Sequence, residues 1–491
     1  MKYYQMYING MWINSSASEA FTTINPYNQL PWAKIQQASK EDINTAIESA
    51  RKAFNLEWRQ TNGLTRANLL LKLADLIDKN AERLAILEST DNGKVIRETK
   101  KQMHFAARNY RFFAGFADKL SGETIPLDNG NMFDYTLREP IGVAVLISAW
   151  NSPIQTLTNK LAPALATGNT VVIKPSEHTS ATTLELGKLI EEAGFPKGVV
   201  NIVTGDSRVG TMLTTHPDVN KISFTGGPAT GKIIAENASK NLIPCTLELG
   251  GKSPNIIFDD ANIENAINGA MAGIFGASGQ TCIAGSRLLV HKQIYDQVIN
   301  TLAKRAREIV LGDPLKPETQ MGPVLNENQQ NRILSMIKEG IKEGANLVAG
   351  GKKVTEGELN NGFFIEPTIF GDVKNEMTIA QEEIFGPVLS VIPFENDDEA
   401  LYIANQSNYG LAAGVWTKNL SRAHQFARKI ESGTVWINTY RSSAAQAPFG
   451  GTKYSGYGKE RGLHAIFEYT QIKNIMIDLS EEVRDPFSIK V

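Results

Sequence analysis

Apolar residues recur every three or four positions between residues 39 and 118, a spacing that predicts helices. Ser39 and Asp42 stand where a capping box would begin the first helix. One face of that helix is apolar and contains Ile43, Ala46, Ile47, Ala50 and Phe54. This part of the chain is therefore expected to be rich in helix.

The pattern changes between residues 141 and 249, where short β-rich runs alternate with helical stretches such as 179–193. The runs are IGVAVLI, NTVVIK, VVNIV, NKISF and PCTLEL. A second series begins at residue 255 with NIIF, RLLVH, PVLSVIPF, LAAGVWT and GTVWIN. The fold class predicted is α/β, with a doubly wound parallel sheet followed by a further α/β domain.

Residues 122–138, GETIPLDNGNMFDYTLR, have the pattern of a β-hairpin around a polar Asn-Gly turn. A further strand is expected near IMIDL at 475–479. The hairpin is expected to project from the body of the molecule.

Composition narrows the class of protein. The 491 residues are 42% hydrophobic and carry a net charge of -2, so two or three globular domains are expected without electrostatic attraction to nucleic acid or an acidic membrane. No apolar run reaches the ~18 residues of a membrane helix, and MKYYQMYINGMW lacks a signal-peptide pattern. With only two cysteines and no CxxC, a reducing, cytoplasmic location is expected. The six histidines are never three or four residues apart, so no metal site is expected.

The stretch GASGQTCIAGSR, residues 276–287, places Cys282 among small and polar neighbours. A thiol becomes a nucleophile only when its pKa is lowered or a base is near. A lone cysteine is more often a structural residue, and Cys245 is interpreted in that way. From the stretch alone, both interpretations of Cys282 stay open.

Two polar residues stand at strand ends, where α/β sheets bind ligands. Glu248 follows the alternating TLEL run and precedes a Gly-Gly break, which makes it a candidate general base or a solvated strand-end residue. Asn151, in AWNSP, is a candidate donor to an oxyanion, although Asn-Ser-Pro is also ordinary turn chemistry.

FTGGPATGK, residues 224–232, is a strand-to-helix turn that resembles a phosphate-binding loop. A nucleoside triphosphatase needs Ser or Thr after Lys232, where this chain has Ile233. The turn therefore suits a pyrophosphate at a helix N-terminus without a metal. The chain lacks GxGxxG and GxSxG, which disfavours a standard dinucleotide fold and a serine hydrolase.

The order of the motifs is more specific than any one of them. They are AWN at 149–151, KPSE at 174–177, FTGG at 224–227, ELGGKSP at 248–254, GQTC at 279–282, QEEIFGP at 381–387 and PFGGTKYSG at 448–456. In this order, the sequence resembles the aldehyde dehydrogenase superfamily over nearly its whole length. The resemblance implies oxidation of an aldehyde to a carboxylic acid.

By this resemblance, Cys282 is the nucleophile that forms a thiohemiacetal and then a thioester. Asn151 and the backbone N–H of Cys282 would stabilise its oxyanion, and Glu248 would activate the hydrolytic water. Lys160 and Glu460 match positions associated with a proton relay, or else they form a structural ion pair.

The resemblance also implies a nicotinamide cofactor. Lys174 and Glu177 match the residues that hold the adenosine ribose, and a carboxylate at 177 would repel the 2′-phosphate of NADP, so NAD is expected and NADP less so. The other cofactor positions are Thr225, Gly226, Gly227 and Gly231 at the pyrophosphate turn, and Glu383 and Phe385 at the nicotinamide ribose and ring. Many relatives have Ser at the position of Gly227.

Residues that line the substrate tunnel in the family are polar in this chain. They are Ser152, Gln155, Thr156, Asn159, Tyr440, Arg441, Ser442 and Ser443. The substrate is therefore expected to be a small polar or carboxylate-bearing aldehyde, with Arg441 pairing the carboxylate unless it faces solvent or a subunit contact. Thr281 and Ile283, on either side of Cys282, are expected to contact the substrate.

The resemblance divides the chain into three parts. Residues 1–118 and 141–250 would form the cofactor domain, and residues 251–450 the catalytic domain. Residues 119–140 and 470–491 would form a small β element that bridges subunits in a homodimer or homotetramer.

Two alternatives remain open. An acylating enzyme would pass the thioester to coenzyme A, although such relatives typically lack a base at the position of Glu248. A catalytically silent relative would have lost one or more of Cys282, Glu248 and Asn151, all of which are present here.

Overall fold

The computed structural model describes residues 1–481, 485 and 487, so the end of the predicted 470–491 segment lies outside the described residues. Its helices are α1 Lys40–Leu56, α2 Gly63–Lys79, α3 Ala81–Asn92, α4 Ile96–Ala114, α5 Pro153–Ala166, α6 Ser180–Ala193, α7 Ser207–Thr214, α8 Pro228–Ser239, α9 Ile263–Phe275, α10 Tyr295–Arg307, α11 Glu327–Lys342, α12 Thr378–Gln381, α13 Asp397–Asn405, α14 Leu420–Lys429 and α15 His464–Phe467.

The strands are β1 Lys2–Tyr4, β2 Met6–Ile8, β3 Met11–Ile13, β4 Ala20–Ile24, β5 Pro31–Gln36, β6 Thr124–Ile125, β7 Met132–Pro140, β8 Val143–Ile147, β9 Thr170–Lys174, β10 Val200–Ile202, β11 Lys221–Thr225, β12 Cys245–Glu248, β13 Pro254–Ile257, β14 Arg287–His291, β15 Asn346–Ala349, β16 Thr368–Gly371, β17 Val388–Phe394, β18 Tyr409–Gly410, β19 Ala412–Trp416, β20 Thr434–Ile437, β21 Thr452–Lys453, β22 Gly456–Tyr457 and β23 Thr470–Asp478.

The predicted helical segment 39–118 is confirmed as α1 to α4. The Ser39 hydroxyl accepts from the backbone N–H of Asp42, and the Asp42 carboxylate accepts from the backbone N–H of Ser39, so the capping box is complete. Its predicted apolar face is buried. Helices α2 to α4 share an apolar core with one face of the first sheet, whereas α1 packs into the core on the opposite face.

The first large sheet has the order β22-β12-β11-β8-β9-β10-β2-β3. Its central strands, β8 to β12, are parallel, which confirms the predicted doubly wound sheet. The strand order reverses between β8 and β11, and such a switch point opens a crevice at the carboxyl ends of the strands. Three edge strands, β2, β3 and β22, are antiparallel to their neighbours and were not predicted.

The second large sheet has the order β15-β16-β17-β14-β13-β19-β20. All five predicted runs are strands in it, and they run parallel to one another. The added strand β15 is antiparallel to β16. The prediction of a second α/β sheet is therefore confirmed.

The small sheet β23-β7-β6 contains the predicted hairpin. Strands β6 and β7 are antiparallel, but residues 126–131 connect them, so the link is longer than a two-residue Asn-Gly turn. Strand β23 pairs with β7 along its whole length, from Thr470 opposite Pro140 to Asp478 opposite Met132.

Candidate active site

Polar residues gather at the carboxyl edge of the first sheet because parallel strands all end there. Asn151 follows β8, Lys174 ends β9, Thr225 ends β11 and Glu248 ends β12. The loop that carries Cys282 approaches this edge from the second sheet, directly before β14. The two sheets thus contribute opposite walls of one cleft.

The cleft has a volume of about 1710 Å³. It is lined by every residue singled out in the sequence for chemistry, cofactor or substrate, except Lys160, Gly231 and Tyr440. Lys160 lies behind Glu460, and a Cβ on Gly231 would lie 2.7 Å from Leu249 Cδ2, so Gly231 serves close helix–strand packing.

Cys282 is a free thiol that is partly exposed to the cleft. Close approach of the two sheets brings it into place, because a Cβ at Gly251 would lie only 2.5 Å from the carbonyl oxygen of Cys282. Just before it, Ala277 and Ser278 adopt left-handed φ angles of 53° and 55°. Such strained conformations in non-glycine residues persist where the surrounding structure fixes the backbone.

The carboxyl group of Glu248 lies beside the Cys282 thiol and is 3% exposed. Burial and then the negative charge of Glu460 raise the pKa of Glu248 to about 8. Burial and the charge of Glu248 likewise raise the pKa of Cys282 well above that of a free thiol, while Arg461 lowers it. Each group therefore makes ionisation of the other less favourable.

Lys160 and Glu460 form a buried ion pair behind Glu248. The amide of Asn159 donates a hydrogen bond of 3.2 Å to the second oxygen of Glu460. These contacts fix the Glu460 carboxylate, and its charge reaches Glu248. Both predicted relay residues are thus brought together.

The side-chain amide of Asn151 donates a hydrogen bond of 2.9 Å to the carbonyl oxygen of Gln280, two residues before Cys282. An asparagine amide has two N–H donors, so one remains for another acceptor. The backbone carbonyl of Asn151 accepts from Lys94 Nζ and from Asn92 Nδ2. These contacts hold the asparagine against the cysteine loop.

The other end of the cleft lies over β9 and β11. Lys174 Nζ is 3.5 Å from a carboxylate oxygen of Glu177, and burial lowers the pKa of Lys174. The Thr225 hydroxyl is buried without a hydrogen-bond partner among the described residues. A Cβ at Gly227 would meet no atom within 4 Å, so the turn before α8 leaves room for a ligand.

Glu383 and Phe385 reach the cleft from the loop before β17. Glu383 accepts a hydrogen bond of 3.0 Å from the backbone N–H of Gly251, and burial raises its pKa to about 7. A Cβ at Gly250 would lie 2.0 Å from Glu383 Oε2, so the Gly-Gly pair is needed for this contact. Phe385 packs edge-on against Trp150 at 5.1 Å between ring centroids.

The predicted substrate residues line the part of the cleft away from β9 and β11. The Ser152 hydroxyl accepts from Lys94 Nζ at 2.6 Å, and Thr281 and Ile283 line the cleft beside the thiol. Arg441 donates to the carbonyl of Ala272 at 2.9 Å and lies 4.0 Å from Glu98.

Sequence reasoning missed one face of α4 and the residues just before it. The face points into the cleft and consists of Lys94, Arg97, Glu98, Lys101, Gln102 and Phe105. The spacing of three or four residues was a detectable signal of a common face. Nothing in the sequence indicated that this face was opposite Cys282.

Sequence reasoning also missed Arg461. This residue lines the cleft, is 7% exposed and has a left-handed φ of 61°. The Ser443 hydroxyl, a predicted substrate contact, accepts a hydrogen bond from Arg461 Nη1. The pattern of apolar and polar residues predicted neither the left-handed backbone angle of Arg461 nor its contact with Ser443, 18 positions away.

Two searches covered the described residues alone. They contain no group of three or more His, Cys, Asp or Glu side chains arranged to hold a metal ion. None of their helices combines the length and apolar character needed to cross a membrane.

The sequence between residues 12 and 475 matches the model of the aldehyde dehydrogenase family. The chain belongs to this family of oxidoreductases. The resemblance stated from its motifs is thereby confirmed.

Relatives of known name are similar over almost the full length. A (Z)-2-((N-methylformamido)methylene)-5-hydroxybutyrolactone dehydrogenase of Acinetobacter baylyi is 45% identical, with 100% of both chains covered. Betaine aldehyde dehydrogenase of Bacillus subtilis is 45% identical, with 96% of each chain covered. The crystal structure of betaine aldehyde dehydrogenase of Staphylococcus aureus in complex with NAD+ has a TM-score of 0.97 at 41% identity, over 99% of this chain and 96% of that chain.

Proposed function

We propose that the protein oxidises a polar or carboxylate-bearing aldehyde to a carboxylic acid, with NAD as hydride acceptor and water as the final nucleophile. The observation that carries the proposal is the meeting of Cys282, Glu248 and Asn151 in one cleft. A thiol, a base and an amide donor are the groups that acyl transfer requires.

In this proposal the Cys282 sulfur attacks the aldehyde carbon. The thiol proton passes to a base, for which Glu248 is the neighbour with a raised pKa. The free N–H of Asn151 and the backbone N–H of Cys282 stabilise the oxyanion of the thiohemiacetal. Arg461 favours the thiolate because its positive charge lowers the pKa of Cys282.

The thioester on Cys282 is then hydrolysed. Glu248 first releases the thiol proton to solvent. Its ionised carboxylate then takes a proton from water as the oxygen of that water attacks the acyl carbon, the carbon–sulfur bond breaks to release the acid, and Glu248 returns the proton to the departing thiolate. Glu460 and Lys160 set the proton affinity of Glu248 from behind, which is the part we assign to them.

The residues at the β9 and β11 end fit NAD. The unpartnered hydroxyl of Thr225 and the open space above Gly227 are suited to a pyrophosphate, together with Gly226. Lys174 and Glu177 would hold the adenosine ribose, and the Glu177 carboxylate disfavours a 2′-phosphate. Glu383 and Phe385 would hold the nicotinamide half. When bound, NAD supplies the acceptor for the hydride that leaves the aldehyde carbon.

The substrate class follows from the basic wall of the cleft. Lys94, Arg97, Lys101 and Arg441 face it, whereas Glu98 is the one acidic residue on that α4 face. Such a surplus of positive charge attracts a carboxylate-bearing aldehyde. Arg441 is proposed to guide the carboxylate at the mouth, although Glu98 balances part of its charge.

The function of each part of the chain is also a proposal. We assign cofactor binding to residues 1–118 and 141–250, catalysis to residues 251–450, and subunit pairing to the small sheet. Strand β23 is exposed at the edge of that sheet, which fits pairing with a second copy in a dimer or tetramer. The cytoplasmic location stays a prediction.

The proposal is tested by following NADH absorbance with short aliphatic, aromatic, amino and carboxylate-bearing aldehydes, with NAD and NADP in parallel. Cys282→Ala is expected to abolish cofactor reduction, because no other thiol lines the cleft among the described residues. Cys245→Ala is the matched control and is expected to retain full activity. Turnover by Cys282→Ala, or an absolute need for coenzyme A, would contradict the mechanism.

A further inference from the structure

Arg461 is a buried cation whose hydrogen-bonding capacity is only partly used among the described residues. It immediately follows Glu460, which is held by an antiparallel bridge to Phe449. Arg461 Nη1 donates to the Ser443 hydroxyl, but Nε is buried and has no hydrogen-bond partner among the described residues. A buried polar donor without an acceptor is costly, which favours a site that an acceptor completes.

Aromatic rings cover the guanidinium group. Its central carbon lies 4.3 Å from the ring centroid of Phe449 and 5.7 Å from that of Phe105. Contacts of this kind occupy the faces of the planar group and leave its N–H donors at the edge. A ligand that meets such an edge needs two coplanar acceptor oxygens, as a carboxylate has.

The charge of Arg461 acts inside the cleft near the reacting groups. Its positive charge lowers the pKa values of both Cys282 and Glu248. Its neighbour in sequence, Glu460, is already held by Lys160 and Asn159. Arg441, in contrast, has a backbone acceptor and a carboxylate nearby.

We propose that Arg461, with Ser443 beside it, is the residue that binds the carboxylate of the substrate, and so selects short ω-oxo acids over neutral aldehydes. The assignment rests on the proposed aldehyde oxidation and goes further by naming the acidic substrate class and its anchor. Phe105 and Phe449 hold the guanidinium in place, and Arg441 acts only at the mouth.

The test compares 4-oxobutanoate and 5-oxopentanoate with butanal and pentanal, which have the same chain lengths without the carboxylate. In Arg461→Met, kcat/KM for the oxo acids is expected to fall by about 10- to 100-fold, the range for losing a charged hydrogen-bonded pair. Because Arg461 also favours the Cys282 thiolate, kcat should fall to the same extent for both classes of aldehyde, and the figure of about 10- to 100-fold is the additional loss, in KM, of the oxo acids relative to the alkanals of equal length. Arg461→Lys keeps the charge but lacks the planar fork of N–H donors, so its kcat/KM for the oxo acids should lie between those of the wild type and Arg461→Met. Arg441→Met should have a smaller effect than Arg461→Met.

Binding provides a readout that is independent of turnover. Calorimetry with butanedioate and pentanedioate should show tighter binding to the wild type than to Arg461→Met, whereas butanoate and pentanoate should not distinguish the two. NADH affinity and thermal unfolding show whether the variant keeps its fold. Equal losses for oxo acids and alkanals, or unchanged dicarboxylate binding, would overturn the assignment. A wild type that binds dicarboxylates through Arg461 but oxidises no aldehyde would instead overturn the proposed function.

Discussion

Two buried carboxyl groups, Glu248 and Glu460, lie close enough for the charge of one to alter the protonation of the other. In the proposed mechanism Glu248 is the base and must be ionised, so hydrolysis of the acyl-enzyme should accelerate as the pH rises through its pKa of about 8. The pH at which hydrolysis accelerates therefore tests the influence of Glu460 on Glu248 while Glu248 itself is kept.

Glu460→Gln is expected to shift the rise in hydrolysis rate to lower pH. The substitution removes the negative charge that raises the pKa of Glu248 and leaves Lys160, whose charge lowers it. The rate after the acylation burst with p-nitrophenyl acetate, measured from pH 6 to 10, reports the shift. Lys160→Met should shift the profile in the opposite direction. An unchanged midpoint in folded Glu460→Gln would show that Glu460 has no influence on the base.

Gly227→Ser is expected to strengthen NAD binding by about threefold to tenfold, the range for one added hydrogen bond at an open site. The position has an ordinary φ of -76° and open space, so a serine fits and its hydroxyl can reach a phosphate at the start of α8. NADH fluorescence titration measures the change. Gly226→Ser is the matched control, because its Cβ would lie 2.3 Å from Phe224 Cζ and should weaken binding. Equal effects at both positions would contradict the role of the turn.

Single residues with a motif around them were predictable, and residues defined by distant partners were not. Glu248 and Asn151 were candidates because they follow strands at a ligand-binding edge, and Cys282 was identified through the order of the family motifs. The bond from Asn151 to Gln280 and the contact of Arg461 with Phe105 depend on segments more than 100 positions apart in sequence. No local pattern encodes such contacts.

At the scale of elements, α1 shows how much a short signal can determine. Asp42 closes the capping box with Ser39 and also accepts from the Ser15 hydroxyl and the Ser16 N–H. The sequence predicted the first contact, which lies within three residues, and gave no indication of the second and third.

Asp42→Ala is therefore expected to destabilise α1 more than Ser39→Ala does. Loss of a serine cap costs about 1 kcal/mol. Loss of the buried Asp42 carboxylate removes three hydrogen bonds that it accepts, from the Ser15 hydroxyl and from the backbone N–H groups of Ser16 and Ser39. Hydrogen exchange of the α1 amides, followed by mass spectrometry, compares the two. Thr45→Ala, on the exposed side of the same helix, serves as the control. Equal protection in both variants would show that the capping box alone determines the end of the helix.

The edge strands were harder to predict than the central ones. Strand β8 is a continuous apolar run, and β9 to β12 are buried almost throughout, as central parallel strands are. Strands β2 and β3 are three residues each, and only the Asn9-Gly10 pair between them signalled a hairpin. Strand β22 has two residues and forms only because β12 offers it a partner.

For the whole molecule, one face of the small sheet is the main exposed apolar feature that fits a second subunit. Alternate residues of β7 and β23 form this face, which contains Phe133, Tyr135, Leu137, Ile475 and Ile477. Phe133, Leu137 and Ile477 are 42%, 41% and 40% exposed, which is unusual for side chains of this size.

Leu137→Glu combined with Ile477→Glu is expected to dissociate the assembly into single chains of 53.8 kDa. The two carboxylates would place negative charge on the proposed contact face, where Ile477 lies opposite Phe133. Light scattering after size-exclusion chromatography measures the mass. Ile472→Glu is the control, because this residue is 61% exposed but points to the other face. A wild type that is itself monomeric would contradict the proposed pairing.

Strand β22 joins the first sheet although its residues come after the whole second sheet in the chain. The Ser455 hydroxyl before it donates to the carbonyl of Gly250 and accepts from the N–H of Gly410, so it ties both sheets together. On the ribosome, the strands of both large sheets except β22 are complete by residue 437, before Glu460 and Arg461 have been synthesised. The nascent chain can thus form most of its core while the cleft still lacks one wall, so the surroundings of Cys282 are completed only late in synthesis.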